Sequence, residues 1–147
     1  MSPSRILLVT TVKDEGPNIL EWVAHHRLCG FDPIMVFQND STDTTVTSLK
    51  VLDALGIVQF VNNNRKWGSP QIRAYARASA SEAFAKADYC LAIDGDEFFR
   101  CDLSGHGVQA LLEATDHPDA IRLNWQNFGS GGHLGLADQL VTERFVH

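Results

Sequence analysis

A short apolar run that breaks into a cluster of carboxylates, at residues 89–99, constrains the fold of this chain more than any other stretch. The run 89–93 is long enough for a buried strand and too short for a free-standing helix. Asp94, Asp96 and Glu97 follow it around Gly95. Carboxylates at the end of a buried strand repel one another unless a cation lies between them. The pattern therefore predicts a site for Mg²⁺ or Mn²⁺, with room for phosphate oxygens, and an Asp-Gly surface turn is the alternative.

The chain before this stretch alternates between strand and helix patterns. Apolar runs predict strands at 6–12, 34–37 and 57–61, and the intervening segments predict helices over 18–28, 44–55 and 71–87. This alternation predicts an α/β, Rossmann-like fold, a mainly parallel sheet with helices on both faces. Polar loops after the first, second and fourth strands would then converge on one crevice. A fifth strand is predicted over 120–125.

The bulk composition excludes several classes of protein. A chain of 147 residues that is 44% hydrophobic suits one domain with a core. Its net charge of -6 and the lack of a basic run argue against binding nucleic acid. The apolar run near the N-terminus is too short for a signal peptide or a membrane span. Cys29 and Cys90 are expected to be buried free thiols, which favours a reducing, cytoplasmic location.

Two further patterns are informative. His25 and His26 lie about 100° apart on the first helix and are predicted to be one exposed and one packing residue rather than metal ligands. No Gly-x-Gly-x-x-Gly follows the first strand and no phosphate-binding Gly-Lys-Ser/Thr loop occurs, so dinucleotide and P-loop sites are excluded.

Several stretches, taken in order, resemble nucleotide-sugar glycosyltransferases of the A-type fold. The chain is most similar to the bacterial family-2-like group and to the related glycosyltransferase family 92, and the likeness covers nearly the whole chain. The matching stretches are Thr11 to Glu15 with the helix that follows, the loop 38–45, Gln71 and Tyr75 as a Gln-x-x-x-Tyr helix, 94–98 as an Asp-x-Asp metal motif, and 125–131 with 143–145.

The resemblance implies a metal-dependent, inverting transferase. It would move a hexosyl or related sugar from a nucleotide-diphosphate sugar to a carbohydrate or another hydroxyl acceptor. The family's base-contacting Asp falls here on Asn39, so uracil is not assumed. Carried over by position, the metal ligands would be Asp94 and Asp96, and the nucleotide-binding residues would be Thr11, Lys13, Glu15, Asn39, Asp43, Arg73 and Asp94.

The resemblance also implies how the chain is divided. Residues 1–147 would form a single nucleotide-sugar-binding domain, with 1–100 as its nucleotide-binding half and 101–147 as the start of the acceptor side. The chain ends within an apparent element, which predicts a fold truncated at the C-terminus. Candidates for the catalytic base, left unranked, are His133, Asp138 and Glu143. Two alternatives remain, a nucleotide-binding module without turnover and a hydrolase with Asp94 as nucleophile.

Overall fold

The computed structural model describes residues 3–64, 68–103, 107–129 and 139–144. Its strands are β1 (Ile6–Val12), β2 (Ile34–Gln38), β3 (Gln59–Asn62) and β4 (Tyr89–Ala92). They pair in parallel in the order β3-β2-β1-β4. The helices are α1 (Ile19–Leu28), α2 (Thr45–Ala54), α3 (Pro70–Ser79), α4 (Glu82–Ala85), α5 (Val108–Ala114) and α6 (Val141–Arg144).

The sheet separates two apolar cores because successive side chains of β1 point to opposite faces. Ile6 and Leu8 pack in the core that also holds the buried apolar side chains of α1, α2 and α5. Leu7 and Val9 lie in the other core, against the alanines of α3 and α4. Helices therefore cover both faces of a parallel sheet, and the predicted α/β fold class is confirmed.

β4 is an edge strand within the part of the chain that the structure describes, which corrects the prediction that it is buried. β1 pairs with one edge of β4, and the side chains of β4 alternate between half-buried and exposed. Cys90 points to the exposed side, so the prediction of a buried thiol there is wrong. Cys29 is half-buried, and both cysteines are free thiols. An alternating, half-exposed strand reads like a buried one when the exposed side chains are small and apolar.

The long helix predicted over 71–87 is two helices. α3 ends at Ser79, and α4 begins after Ser81, whose hydroxyl accepts a hydrogen bond from the Phe84 backbone N–H at 3.1 Å. Serine competes with the helical backbone and is favoured as a cap, which gives the break its physical reason. Three alanines of these helices, Ala74, Ala78 and Ala83, are buried against the sheet, whereas Ala76 and Ala85 are exposed.

The strand predicted over 120–125 does not form. Residues 120–129 have no regular secondary structure, and Trp125 is 83% exposed. A strand needs a hydrogen-bonded neighbour, and among the described residues no backbone group pairs with 120–125. None of the described helices is both long enough and apolar enough to cross a membrane.

The tight packing of α3 gives a stability prediction. Ala78 is 3% exposed between α3 and the sheet, so Ala78→Leu should overpack that core and lower the free energy of unfolding by about 1–3 kcal/mol. Ala76, on the exposed face of the same helix, is the matched control, and Ala76→Leu should change stability by less than about 0.5 kcal/mol. Urea denaturation of both variants measures this. If both variants lost the same free energy of unfolding, the assignment of Ala78 to the buried face of α3 would be contradicted.

Candidate functional site

Three polar segments meet where the parallel strands end. β1 leads into the first loop (13–18), β2 into the second loop (39–44), and β4 into the acidic segment (94–97). Open α/β sheets bind ligands outside the carboxyl ends of their strands. The predicted convergence is confirmed, because hydrogen bonds join the first loop to the second, and Glu15 of the first loop lies close to Gly95 and to the charge of Asp96.

Two aspartates clamp the first loop to the second. Thr42 donates its backbone N–H to Asp14 Oδ1 at 2.7 Å, and Asp14 donates its own N–H to Ser41 Oγ at 3.2 Å. Gly16 donates its N–H to Asp43 Oδ2 at 2.8 Å. A Cβ on Gly16 would lie 2.3 Å from Thr44 Oγ1, so only glycine allows this close approach. The two loops therefore form one rigid wall of the crevice.

Asp43 is engaged through both of its oxygens. Oδ1 accepts hydrogen bonds from the N–H and the hydroxyl of Thr45, at the start of α2, while Oδ2 accepts from Gly16. Burial alone would raise the pKa of Asp43, but these hydrogen bonds outweigh it and hold that pKa below its usual value. Asp43 thus shapes the wall as an anion, and its direct contact with a nucleotide stays a prediction.

The acidic segment is a closed turn. Asp94 donates its backbone N–H to Glu97 Oε2 at 2.9 Å, and Glu97 donates its N–H to the Asp94 carbonyl at 3.1 Å. Gly95 is buried against the end of β1, where a Cβ would come within 2.8 Å of Val12 Cγ1. The glycine therefore brings the carboxylates on either side of it close to the first loop.

Helix α1 holds the far end of this turn with three side chains. Trp22 Nε1 donates to the Glu97 carbonyl at 2.8 Å, and His25 Nε2 donates to the Phe99 carbonyl at 2.7 Å. The buried His26 accepts the Phe99 N–H on Nε2 at 3.2 Å and donates Nδ1–H to the Trp22 carbonyl at 2.7 Å. His26 is the packing histidine that the sequence predicted. His25 is half-buried rather than exposed, because its ring also packs edge-on against Phe98.

Helix α3 reaches the acidic segment from the other side. Gln71 Nε2 donates to Asp94 Oδ1 at 3.2 Å and to the Tyr75 hydroxyl at 3.0 Å. Gln71 and Tyr75 are one helical turn apart, so the Gln-x-x-x-Tyr pattern has a physical meaning here. The pair orients one carboxylate oxygen of Asp94 and leaves the second oxygen for other partners.

The crevice is strongly negative. Burial raises the pKa of Glu15, a hydrogen bond from Asn18 opposes the rise, and the nearby charges of Asp96, Asp43 and Asp14 add to it. Asp96 is exposed and has no hydrogen-bond or ion-pair partner among the described residues. In that part of the chain, no Lys or Arg forms an ion pair with Asp14, Asp43, Asp94 or Asp96.

The other predicted site residues have distinct surroundings. Thr11 is half-buried near the end of β1, and Lys13 is exposed at the start of the first loop. Arg73 donates to the Asn63 side chain at 3.0 Å and to the Asn64 carbonyl at 2.9 Å, so it fastens the end of β3 to α3.

The candidate bases lie at the other end of the chain. Glu143 is exposed on α6, a helix that the carboxylate of Glu21 anchors by accepting the Val141 and Thr142 N–H groups. His133 and Asp138 lie outside the described residues.

Sequence reasoning missed the residues that support the site. In the sequence, the only sign of the contacts between α1 and the acidic segment is the spacing Trp22-x-x-x-His26. That spacing is equally typical of a helix face buried in the core. Asn63 lies in a run of three asparagines that suggests an exposed loop, yet it is 2% exposed and fully hydrogen-bonded. A separate cavity of about 240 Å³ lies behind α1, lined by residues such as His25, Cys29 and Cys101, and none of the predicted site residues lines it.

Comparisons with known proteins show the fold. No protein-family model matches the sequence, and a search of curated proteins finds no significant relative. The structure of S. aureus TarS 1-349 in complex with UDP is similar to this chain with a TM-score of 0.50 and 15% identity, over 76% of this chain and 31% of that one. The complex of TarS 1-349 with UDP-GlcNAc gives a TM-score of 0.49 and 15% identity, over 76% and 30%. The chain thus spans less than a third of the TarS chain that it resembles.

The His26 contacts give a prediction about pH. Burial lowers the pKa of His26 from its usual 6.5 to about 4, so between these values the unfolded chain binds more protons than the folded one. The contribution of neutral His26 to the free energy of unfolding is therefore complete above pH 6.5. It is lost as the pH falls to 4, and the loss is about 3 kcal/mol in all. His26→Gln should lower stability at pH 7 and flatten this part of the profile.

Urea denaturation of both proteins at a series of pH values measures the difference. The other titrating groups are common to the two proteins, so subtracting the profiles isolates His26. Parallel profiles between pH 4 and 6.5 would show that the ring is not held neutral against Phe99.

Proposed function

We propose that this chain binds the donor in a metal-dependent, inverting glycosyltransferase that uses a nucleotide-diphosphate sugar. The observation that carries the proposal is the acidic segment at the carboxyl edge of the sheet, where Asp96 faces the crevice without a partner among the described residues. The sequence resemblance to such transferases and the fold shared with a protein crystallised with UDP support it.

The carboxylates of the acidic segment fit a divalent cation whose remaining ligands come from the substrate. Among the described residues, no three Asp, Glu, His or Cys side chains converge closely enough to hold a metal by themselves. Mg²⁺ is usually held by one or two carboxylates together with phosphate oxygens and water, and Mn²⁺ accepts similar ligands. Asp94 and Asp96, on either side of Gly95, offer such a pair. The metal and the diphosphate would therefore bind together.

The charges of the crevice also call for a cation to bind together with the diphosphate. A diphosphate that enters this crevice meets Asp14, Asp43 and Asp96, and no described Lys or Arg forms an ion pair with them. Like charges at such separations repel by amounts that matter in a partly desolvated site. When bound, the cation offsets the negative charge that develops on the leaving diphosphate.

The chain's own residues position the donor. Gln71 orients Asp94, and the turn closed by Glu97 fixes the spacing between Asp94 and Asp96. The clamped first and second loops form the wall for ribose and base, next to Thr11, Lys13 and Asn39. Such pre-organised walls lower the entropic cost of orienting a substrate.

Inversion requires a base for the acceptor hydroxyl, which would be a carbohydrate or another alcohol. Glu143 is the described candidate for that base, beside His133 and Asp138 of the sequence. The acceptor side would be completed by residues after 100.

The first test is metal-dependent nucleotide binding. Asp96→Asn removes the carboxylate that has no partner in the described structure, so the affinity for a nucleotide diphosphate in Mn²⁺ should fall at least about tenfold while the fold is retained. Asp119→Asn makes the same change at an exposed site after α5 and should leave the affinity unchanged. Titration calorimetry with UDP, CDP, ADP and GDP, in Mn²⁺ and in chelator, measures both. If the wild-type protein bound the nucleotides with equal affinity in Mn²⁺ and in chelator, the proposal would be contradicted.

A further inference from the structure

Two cysteines line the cavity behind α1. Cys29 is the residue that ends α1, and Cys101 follows the acidic segment (94–97) in the chain. Both are free thiols, both are half-buried, and both pack against the main apolar core. The cavity that they line has a volume of about 240 Å³. Two thiols from distant parts of the sequence therefore share one cavity.

The Cys29 sulfur lies against the chain that leads to Cys101. Its Sγ is 3.7 Å from the carbonyl oxygen of Phe99 and 3.6 Å from His25 Nε2, whose N–H donates to that same carbonyl. Burial raises the pKa of the Cys29 thiol, and the nearby thiol of Cys101 adds to the rise, because two thiolates would repel each other. The two sulfurs are therefore close enough for the charge of one to affect the other.

The chain beyond Cys101 returns to Cys29. Val108 donates its N–H to the Cys29 carbonyl at 2.9 Å. Gly107 has a φ of 96°, and a Cβ there would lie 2.4 Å from the same carbonyl oxygen, so glycine is required for this approach. Cys101 thus lies between two points of the chain, Phe99 and Val108, that both contact Cys29.

The backbone around Cys101 can adjust to a new bond, because residues 98–103 form neither a helix nor a strand. A disulfide requires Cα atoms about 4.4–6.8 Å apart, and an irregular segment can reach that geometry without breaking a helix or a strand. The third thiol, Cys90, is exposed on β4 and does not line this cavity. The three cysteines therefore comprise one pair and one separate thiol.

We propose that Cys29 and Cys101 form a thiol modification site, a dithiol that closes to a disulfide by exchange with an oxidised low-molecular-weight disulfide. The new bond joins the end of α1 to the chain that leaves the acidic segment. It fastens that segment to α1 covalently, in addition to the hydrogen bonds from Trp22, His25 and His26. The site lies outside the proposed nucleotide crevice, so the inference does not rest on the proposed function.

The exchange with oxidised glutathione takes two steps. In the first, the thiolate of one cysteine attacks the S–S bond of oxidised glutathione, and one glutathione leaves and takes up the proton that the cysteine released. In the second, the other cysteine attacks the protein sulfur of this mixed disulfide and expels the second glutathione. The two cysteines lose two electrons and two protons, and oxidised glutathione is reduced to two thiols.

The experiment incubates the folded, reduced wild-type protein with oxidised glutathione, alkylates the remaining thiols and maps the cysteines of the isolated monomer by mass spectrometry. Trypsin cleaves after Arg27, Lys86 and Arg100, so each cysteine falls on a separate peptide. We expect a cross-link between the peptides 28–50 and 101–122, with Cys90 outside it. That cross-linked pair should carry two hydrogens fewer than the two reduced peptides together.

The same reaction in concentrated urea is the matched control. Loop closure in an unfolded chain favours the cysteines that are nearest in sequence, which are Cys90 and Cys101. The folded protein should instead link Cys29 to Cys101, because the fold brings these two together. A link between Cys90 and Cys101 in the folded protein would overturn the proposal. So would glutathione on Cys29 or Cys101 without a cross-link, or no reaction at either residue.

Urea denaturation tests whether the disulfide fits the native fold. A bond that closes so long a loop should raise the urea midpoint by about 1 M, and dithiothreitol should reverse the rise. Cys90→Ser keeps the pair and should show the full rise after oxidation, whereas Cys101→Ser should show none. If the midpoint of oxidised Cys90→Ser stayed the same or fell, the disulfide would not fasten the native acidic segment and the proposal would be overturned.

Discussion

The hydrogen bonds between α1 and the backbone of residues 97–99 are the constraint on which the site depends. The acidic segment follows an edge strand, so the sheet holds it from one side only within the described residues. Gln71 of α3 holds Asp94, and three side chains of α1 hold the far end of the turn. Trp22, His25 and His26 bind the Glu97 carbonyl, the Phe99 carbonyl and the Phe99 N–H. Because Trp22 and Phe99 belong to the main apolar core, these contacts fix the turn to that core.

This arrangement divides the polar residues of the crevice into two groups. Asp14, Asp43 and Asn63 turn their hydrogen-bonding atoms towards the protein and hold loops together. Asp96 and the NH₂ group of Asn39 have no such partners among the described residues, and they lie at different strand ends. Buried polar atoms are costly when unpaired, so polar atoms that stay both exposed and oriented are the ones suited to a ligand. Few polar atoms of the described crevice are therefore left without a protein partner.

Much of this fold follows from patterns in the sequence. The apolar runs of β1 and β2 are continuous because both strands are covered on both faces, and the periodic helices follow them closely. The convergence of the three polar segments then follows from parallel topology alone. The alanines of α3 indicate its buried face only in part, because Ala74 and Ala78 are buried while Ala76 is exposed.

Other features depend on tertiary partners that local patterns do not encode. The stretch 120–125 has strand propensity but pairs with neither edge strand of the described sheet, and β4 looks buried only because its exposed side chains are small. The role of Asn63 rests on contacts with residues from 7 to 24 positions away in the chain. An asparagine run followed by charged residues and a glycine is typical of an exposed loop, so nothing in the sequence indicates that Asn63 is buried.

The central claim is that the braced acidic segment holds a cation together with a nucleotide diphosphate. Paramagnetic broadening of backbone amide signals by Mn²⁺, recorded by NMR with and without UDP, CDP, ADP or GDP, tests it most directly. The account predicts weak broadening with Mn²⁺ alone. Once a diphosphate is added, broadening should be strong and centred on Gly95 and Asp96 and extend to the first loop. Broadening centred elsewhere, or broadening that no diphosphate changes, would contradict it.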